Sequence, residues 1–178
     1  MLLLNWGYGE WFDVDGGALR MRLYKKGTAH IEVHEHALVV NAIKLAFKDL
    51  CAGYSCQAAP SVLTLPSGHH LITKFQGQLK DGVNDEDILQ FLHPTPALGG
   101  VPRQQAMAVI RKLEEFSRGW YGAPVGYVGL DWAEFVVGIR SGLASAKKLS
   151  VFAGAGIVQG SKASEEWDEV ENKISIWM

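Results

Sequence analysis

The stretch that most constrains this 178-residue chain runs from Leu149 to Lys173. It opens on Leu149-Ser150-Val151-Phe152, passes through Ala153-Gly154-Ala155-Gly156, and continues as Glu165-Glu166-Trp167-Asp168-Glu169 before Asn172-Lys173. A buried strand leading into a glycine bend and then a carboxylate-bearing helix is the expected form. Glycines can bare backbone N–H groups to an anion, though a plain bend or bulge uses the same residues. Glu166 and Glu169, three apart on a helix, share a face and suit a hard divalent cation. Glu32 and Glu35 repeat that spacing upstream. The spacing alone is ordinary for a solvated helix face, but four carboxylates drawn together would need a cation to offset their repulsion.

Composition narrows the classes. With 48% hydrophobic and 20% charged residues, the chain reads as a soluble globular protein able to bury a core. A net charge of -2 gives no electrostatic case for nucleic acid or an anionic membrane as partner. Cys51 and Cys56 follow no zinc or redox spacing and fit structural thiols in a reducing, cytoplasmic setting. The apolar run Met1 to Leu4 is cut by Asn5, far below the length of a signal peptide or membrane span.

Along the chain, residues 1–27 show neither helical nor strand period, because Trp6, Tyr8, Trp11 and Phe12 are mixed with glycines; Arg20 to Tyr24 admits a short strand. Thr28 is a candidate cap for a helix reaching about Leu50, with Ile31, Leu38, Val39, Ile43, Phe47 and Leu50 as its stripe and Gly53 ending the pattern. Ser61 to Leu65 and His70 to Phe75 read as strands joined by a Pro66-Ser67-Gly68 turn, and Asp85 to Phe91 as a helix capped by Asn84. Pro102 suits the first position of a helix from Arg103 to Ser117 that buries Ala106, Ile110 and Leu113 and ends at Gly119. Val125 to Leu130 and Glu134 to Ser141 follow as strands. A turn near Ala144 to Ala146 then leads into a strand over 148–155. The economical reading is one α+β unit, residues 28–178, behind a weakly specified segment 1–27.

Single residues keep two readings at this point. Arg140, in an otherwise apolar strand, is either a charge on a solvated sheet face or a fork for a carboxylate. His93, before a Pro-rich loop, caps backbone or orients a ligand. His34 and His36 flank Glu35 but lack a third zinc ligand at suitable spacing, and His69-His70 is expected at a surface turn.

The C-terminal part resembles the chorismate-utilising enzymes, and among them the isochorismate synthases. The likeness is carried by His93-Pro94-Thr95-Pro96-Ala97-Leu98-Gly99-Gly100-Val101-Pro102-Arg103, by Arg118-Gly119-Trp120-Tyr121-Gly122-Ala123-Pro124, by Glu134-Phe135-Val136-Val137-Gly138-Ile139-Arg140-Ser141, by Phe152-Ala153-Gly154-Ala155-Gly156-Ile157-Val158, and by Glu166-Trp167-Asp168-Glu169 with Asn172-Lys173. Glu32-Val33-His34-Glu35-His36 looks like the family's Glu-x-x-Glu-His helix. The resemblance implies antiparallel sheets with outer helices, chorismate as substrate, and Mg2+ as cofactor at Glu32, Glu35, Glu166 and Glu169. It implies that Tyr121, Arg140, Lys173 and the amides of Gly154, Ala155 and Gly156 hold the substrate's two carboxylates, with His93 beside the ring.

The implied reaction moves a hydroxyl from C4 to C2 of chorismate, toward menaquinone or salicylate. It needs a lysine base and a glutamate acid, which the family carries on an earlier strand and in a Pro-Glu motif. No Pro-Glu and no Ala-Gly-Thr segment stands before the helix, and Lys25 and Lys26 sit too close to that helix to be the base. The chain is therefore expected to be the latter part of a longer catalytic domain, weakly active or inactive alone, with an N-terminal half as possible partner and a plastid as the alternative location. Another chorismate enzyme (anthranilate or salicylate synthase) and a non-catalytic remnant binding a partner chain are the rival readings.

Overall fold

The computed structural model describes residues 2–5, 9–27, 30–65 and 68–178, and the side chains of these except residues 2–5, 30–32, 65, 68 and 176. Thr28 as a helix cap and the Pro66-Ser67 turn fall outside the described residues.

The N-terminal residues, for which no period is legible, form strands β1 (Leu2–Asn5), β2 (Glu10–Asp15) and β3 (Ala18–Lys26). In β2 the buried residues are Glu10, Phe12 and Val14, an alternation hidden in sequence by the adjacent Trp11. Helix α1 (His30–Leu50) follows and runs directly into β4 (Cys51–Cys56), a strand that sequence reasoning missed. It is an exposed edge strand with a register shift between Cys51 and Gly53, so it shows no clean alternation. Then come β5 (Ser61–Leu65), β6 (Gly68–Leu79) and α2 (Asp85–Leu92). Asn84 caps α2 as expected, its side chain accepting from the Asp87 N–H while Asp87 accepts from the Asn84 N–H.

The short α3 (Pro96–Gly99) and α4 (Arg103–Leu113) lead to β7 (Pro124–Val128), β8 (Trp132–Val137), β9 (Ser141–Ser145) and β10 (Lys148–Phe152), and α5 (Ala163–Ile174) closes the set. One antiparallel sheet has the order β4-β6-β3-β2-β8-β7, with β5 also on β6; a second has the order β1-β9-β10. The expected α+β fold, antiparallel sheets with outer helices, is the fold observed.

The core lies between α1 and one face of the large sheet. Val39, Ile43, Phe47 and Leu50 recur at the helical period and meet Phe12, Leu19, Met21 and Phe75, while α2 adds Ile88 and Leu92. Phe12 stacks on Phe135 at 5.1 Å, and Phe47 meets Phe75 in a tilted contact at 5.4 Å. On Trp11's side of the sheet, Arg22 lies over the Trp11 ring, the Trp11 indole N–H donates to Glu134, and Arg20 pairs with Asp13.

Several expectations are corrected. Helix α4 stops at Leu113 rather than Ser117 and buries no residue; Leu113 is 75% exposed. Its apolar residues border a cavity instead of packing on the core. The strand expected over Glu134 to Ser141 is two strands in different sheets, broken at Gly138–Arg140, with Arg140 at φ 48°. β10 ends at Phe152 and is not buried, since it is the edge of the small sheet. His70, expected at the surface, is 1% exposed because β6 extends to Gly68 and is flanked there by β3 and β5.

The tightest backbone approach is Gly126, opposite Phe135 in the β7–β8 pair, where a Cβ would stand 1.9 Å from the Glu134 carbonyl oxygen. Gly126→Ala is expected to cost about 3 kcal/mol, because strand backbone and not a flexible side chain must give way. A shift of the urea midpoint reads this directly.

Candidate active site

A cavity of about 660 Å³ opens between β2–β3, the start of α1, α4, the β8–β9 break, the glycine segment after β10, and α5. Its walls gather Glu35, Tyr121, Arg140, Gly154, Ala155, Gly156, Glu169 and Lys173, so eight of the eleven expected site residues meet in one place. His93 and Glu166 are not on this wall, and the side chain of Glu32 is outside the described residues.

The glycines serve by close approach. A Cβ on Gly154 would lie 2.6 Å from the Tyr121 hydroxyl, and one on Gly156 would lie 3.2 Å from a Glu35 carboxylate oxygen. Neither has a positive φ. The Gly154 carbonyl accepts a 2.6 Å hydrogen bond from Lys173 Nζ, which also pairs with Glu169 one turn back on α5. Tyr121 is held by stacking on Phe152 at 5.8 Å, and burial raises its phenol. Gly154→Ala is expected to push the Tyr121 ring from this stack and weaken ligand binding at least several-fold by calorimetry, leaving the fold intact.

Three cations face this floor. Arg140 reaches it because the break between β8 and β9 turns the chain, and its buried Nε has no hydrogen-bond partner among the described residues. Burial lowers the Arg140 and Lys173 pKa values, and Glu169 partly offsets this for both. Burial alone would raise Glu169, but the Lys173 hydrogen bond and charge, with Lys25 and Arg140, carry it below its ordinary value. Lys25, at the end of β3, pairs with Glu35.

Of the four carboxylates expected at the cation, Glu35 and Glu169 line this wall; Glu10 and Glu114 line it too, but Glu10 is bonded to Thr95 and Glu114 to Arg118. Mg2+ keeps several waters and takes one or two carboxylates plus substrate oxygens, so this donor set fits it. A zinc site does not fit: His36, at the inner edge of the cavity and 2% exposed, has its Nε2 taken by a 2.7 Å hydrogen bond shared with the Thr73 hydroxyl. Burial, then Lys25, holds His36 down to about 4. Among the described residues no group of three His, Cys, Asp or Glu could hold a metal.

A buried carboxyl on the wall was not foreseen. Glu10 of β2 lines the cavity, is 7% exposed, and accepts a hydrogen bond from the Thr95 hydroxyl of the Pro-rich loop. Burial raises it to about 7 against the lowering effect of Thr95. The available signal was a carboxyl leading the alternation Glu10-Phe12-Val14. His93 instead ends α2, half-buried, its carbonyl taken by Arg103 and its ring lowered by burial and then by Arg103.

A glycine-floored cavity with several cations and paired carboxylates has the chemistry to suit a small acidic molecule, and sequence comparison gives the family. The profile of the chorismate binding enzymes matches residues 28–178, and the chain belongs to that family. It is 42% identical over 141 residues to isochorismate synthase MenF of Bacillus subtilis, covering 79% of this chain and 30% of that one. It is 41% identical over 143 residues to the chloroplastic isochorismate synthase 2 of Arabidopsis thaliana, covering 79% and 25%. The solved structure of the menaquinone-specific isochorismate synthase MenF of Escherichia coli superposes with a TM-score of 0.80 at 29% identity, over 92% of this chain and 42% of that one. The chain thus spans a quarter to a third of the length of the two curated relatives. No helix among the described residues is long and apolar enough to cross a membrane.

Proposed function

We propose that this chain binds chorismate in the cavity and takes part in its magnesium-dependent conversion to isochorismate. The observation that carries the reading is Arg140, a half-buried guanidinium whose buried Nε has no partner among the described residues, on a wall shared with Lys173 and the glycine floor. A desolvated cation is costly unless an anion meets it, and a carboxylate meets a guanidinium best. Chorismate brings two carboxylates, which Arg140, Tyr121, Lys173 and the amides of Gly154 to Gly156 hold.

Glu35 and Glu169, with Glu32 and Glu166 as further or water-mediated ligands, would hold Mg2+, which would supply charge neutralisation at the ring carboxylate. Glu10 retains its proton near neutral pH and gives it to the hydroxyl departing from C4, which leaves as water. A second water adds at C2 as both ring double bonds shift and the C4–O bond breaks, and it loses its proton to a base. That base is a lysine in the part of the family's catalytic domain that these 178 residues do not span; they cover 30% of the Bacillus subtilis relative. The setting is the cytoplasm, or a plastid in a plant or alga.

Chorismate with Mg2+ is supplied to this chain alone and to this chain mixed with the N-terminal half of the Bacillus subtilis relative, and products are separated by chromatography. Little turnover alone and isochorismate from the mixture are expected. Anthranilate in the presence of ammonia, salicylate as first product, or no chorismate binding by calorimetry overturns the reading.

A further inference from the structure

The two carboxylates assigned to the cation are already paired with ammonium groups, and the two pairs are built differently. Lys173 and Glu169 are one turn apart on α5, and Lys173 is anchored a second time on the Gly154 carbonyl. That pair is local, and Lys173 is fixed by it. Lys25 comes from another element: it leaves the end of β3 to meet Glu35 in the first turns of α1. Both partners are largely enclosed, with Lys25 24% and Glu35 14% exposed. The charge of Lys25 is also felt at His36, Glu169 and Lys173, so it sits amid the groups that would surround a metal.

A divalent ion binding Glu35 would share that carboxylate with an ammonium of like charge, and two cations on one carboxylate repel strongly in an enclosed site. We propose that Lys25 is a built-in competitor for the divalent cation: its ammonium holds Glu35 while the site is metal-free and has to leave Glu35 for a metal to enter. The metal then binds weakly until an anionic ligand gives the displaced ammonium a new partner. This inference rests on the magnesium reading above and concerns only how the site is loaded.

Mn2+, followed by electron paramagnetic resonance without chorismate, is titrated into the 178-residue chain, Lys25→Met and Lys25→Arg. Lys25→Met should bind Mn2+ at least ten-fold more tightly, and Lys25→Arg should stay near the parent. Equal or weaker binding by a folded Lys25→Met overturns the proposal while leaving the magnesium reading in place. Binding by none of the three, with or without chorismate, overturns both. A second measurement needs no variant: acetylation of Lys25 in the parent chain, read by peptide mass spectrometry, should rise several-fold when Mn2+ is added. A rate unchanged under saturating Mn2+ overturns the competition.

Discussion

Glu10→Gln is expected to leave chorismate affinity within a few-fold of the parent and to cut isochorismate formation by about 10²–10⁴-fold, the usual contribution of a positioned proton donor. The change is nearly isosteric. A glutamine carbonyl can still accept from the Thr95 hydroxyl, so β2 and the Pro-rich loop keep their contact. What is lost is a proton held near neutral pH, which burial secures by raising Glu10 to about 7. The measurement is made on the chain combined with its N-terminal half, where the loss should fall on kcat with KM little changed.

The pH profile gives a second signature. A group that must be protonated to act gives a kcat that declines as pH rises through its pKa, so the parent should lose rate above about pH 7 and the residual rate of Glu10→Gln should lack that limb. The Thr95 hydrogen bond lowers Glu10, so Thr95→Val should move the limb to higher pH. A Glu10→Gln protein with unchanged kcat would remove Glu10 from the reaction.

What could be read in the sequence depended on whether burial left a period. Helix α1 was legible because Val39, Ile43, Phe47 and Leu50 pack on one sheet face, and α2 because Asn84 and Asp87 cap it reciprocally. In α4 the same kind of pattern misled: Ile110 and Leu113 face a cavity, and an amphipathic stripe does not say whether core or ligand covers it. Arg140 stood out as a charge among apolar residues, but its role depends on a left-handed turn between two sheets that alternation cannot reveal. Spacing also failed to choose within the C-terminal carboxylates, since Glu169 lines the cavity and Glu166 does not. Glu10 was hidden because β2 presents Trp11 to the opposite face, where Arg22 and Glu134 hold it, so Trp11 beside Phe12 breaks the apolar alternation.

Glu10 and His36 together make a further expected result, in stability and not in rate. Glu10 is raised from 4.5 to about 7 on folding, so between those values the folded chain keeps a proton that the unfolded chain has lost. Its contribution is full below pH 4.5 and falls away as pH rises toward 7, by about 3 kcal/mol in all. His36 is lowered from 6.5 to about 4, so the unfolded chain takes up a proton that the buried ring refuses. Its contribution is full above pH 6.5 and is lost as pH falls toward 4, again by about 3 kcal/mol. The two slopes oppose each other and nearly cancel across the shared window. Urea unfolding at fixed ionic strength should therefore show Glu10→Gln gaining stability relative to the parent as pH climbs through the window, and His36→Asn losing it. Parallel curves for Glu10→Gln and the parent would mean that Glu10 titrates as an ordinary carboxylate, and a carboxylate already ionised at neutral pH has no proton to give the departing hydroxyl.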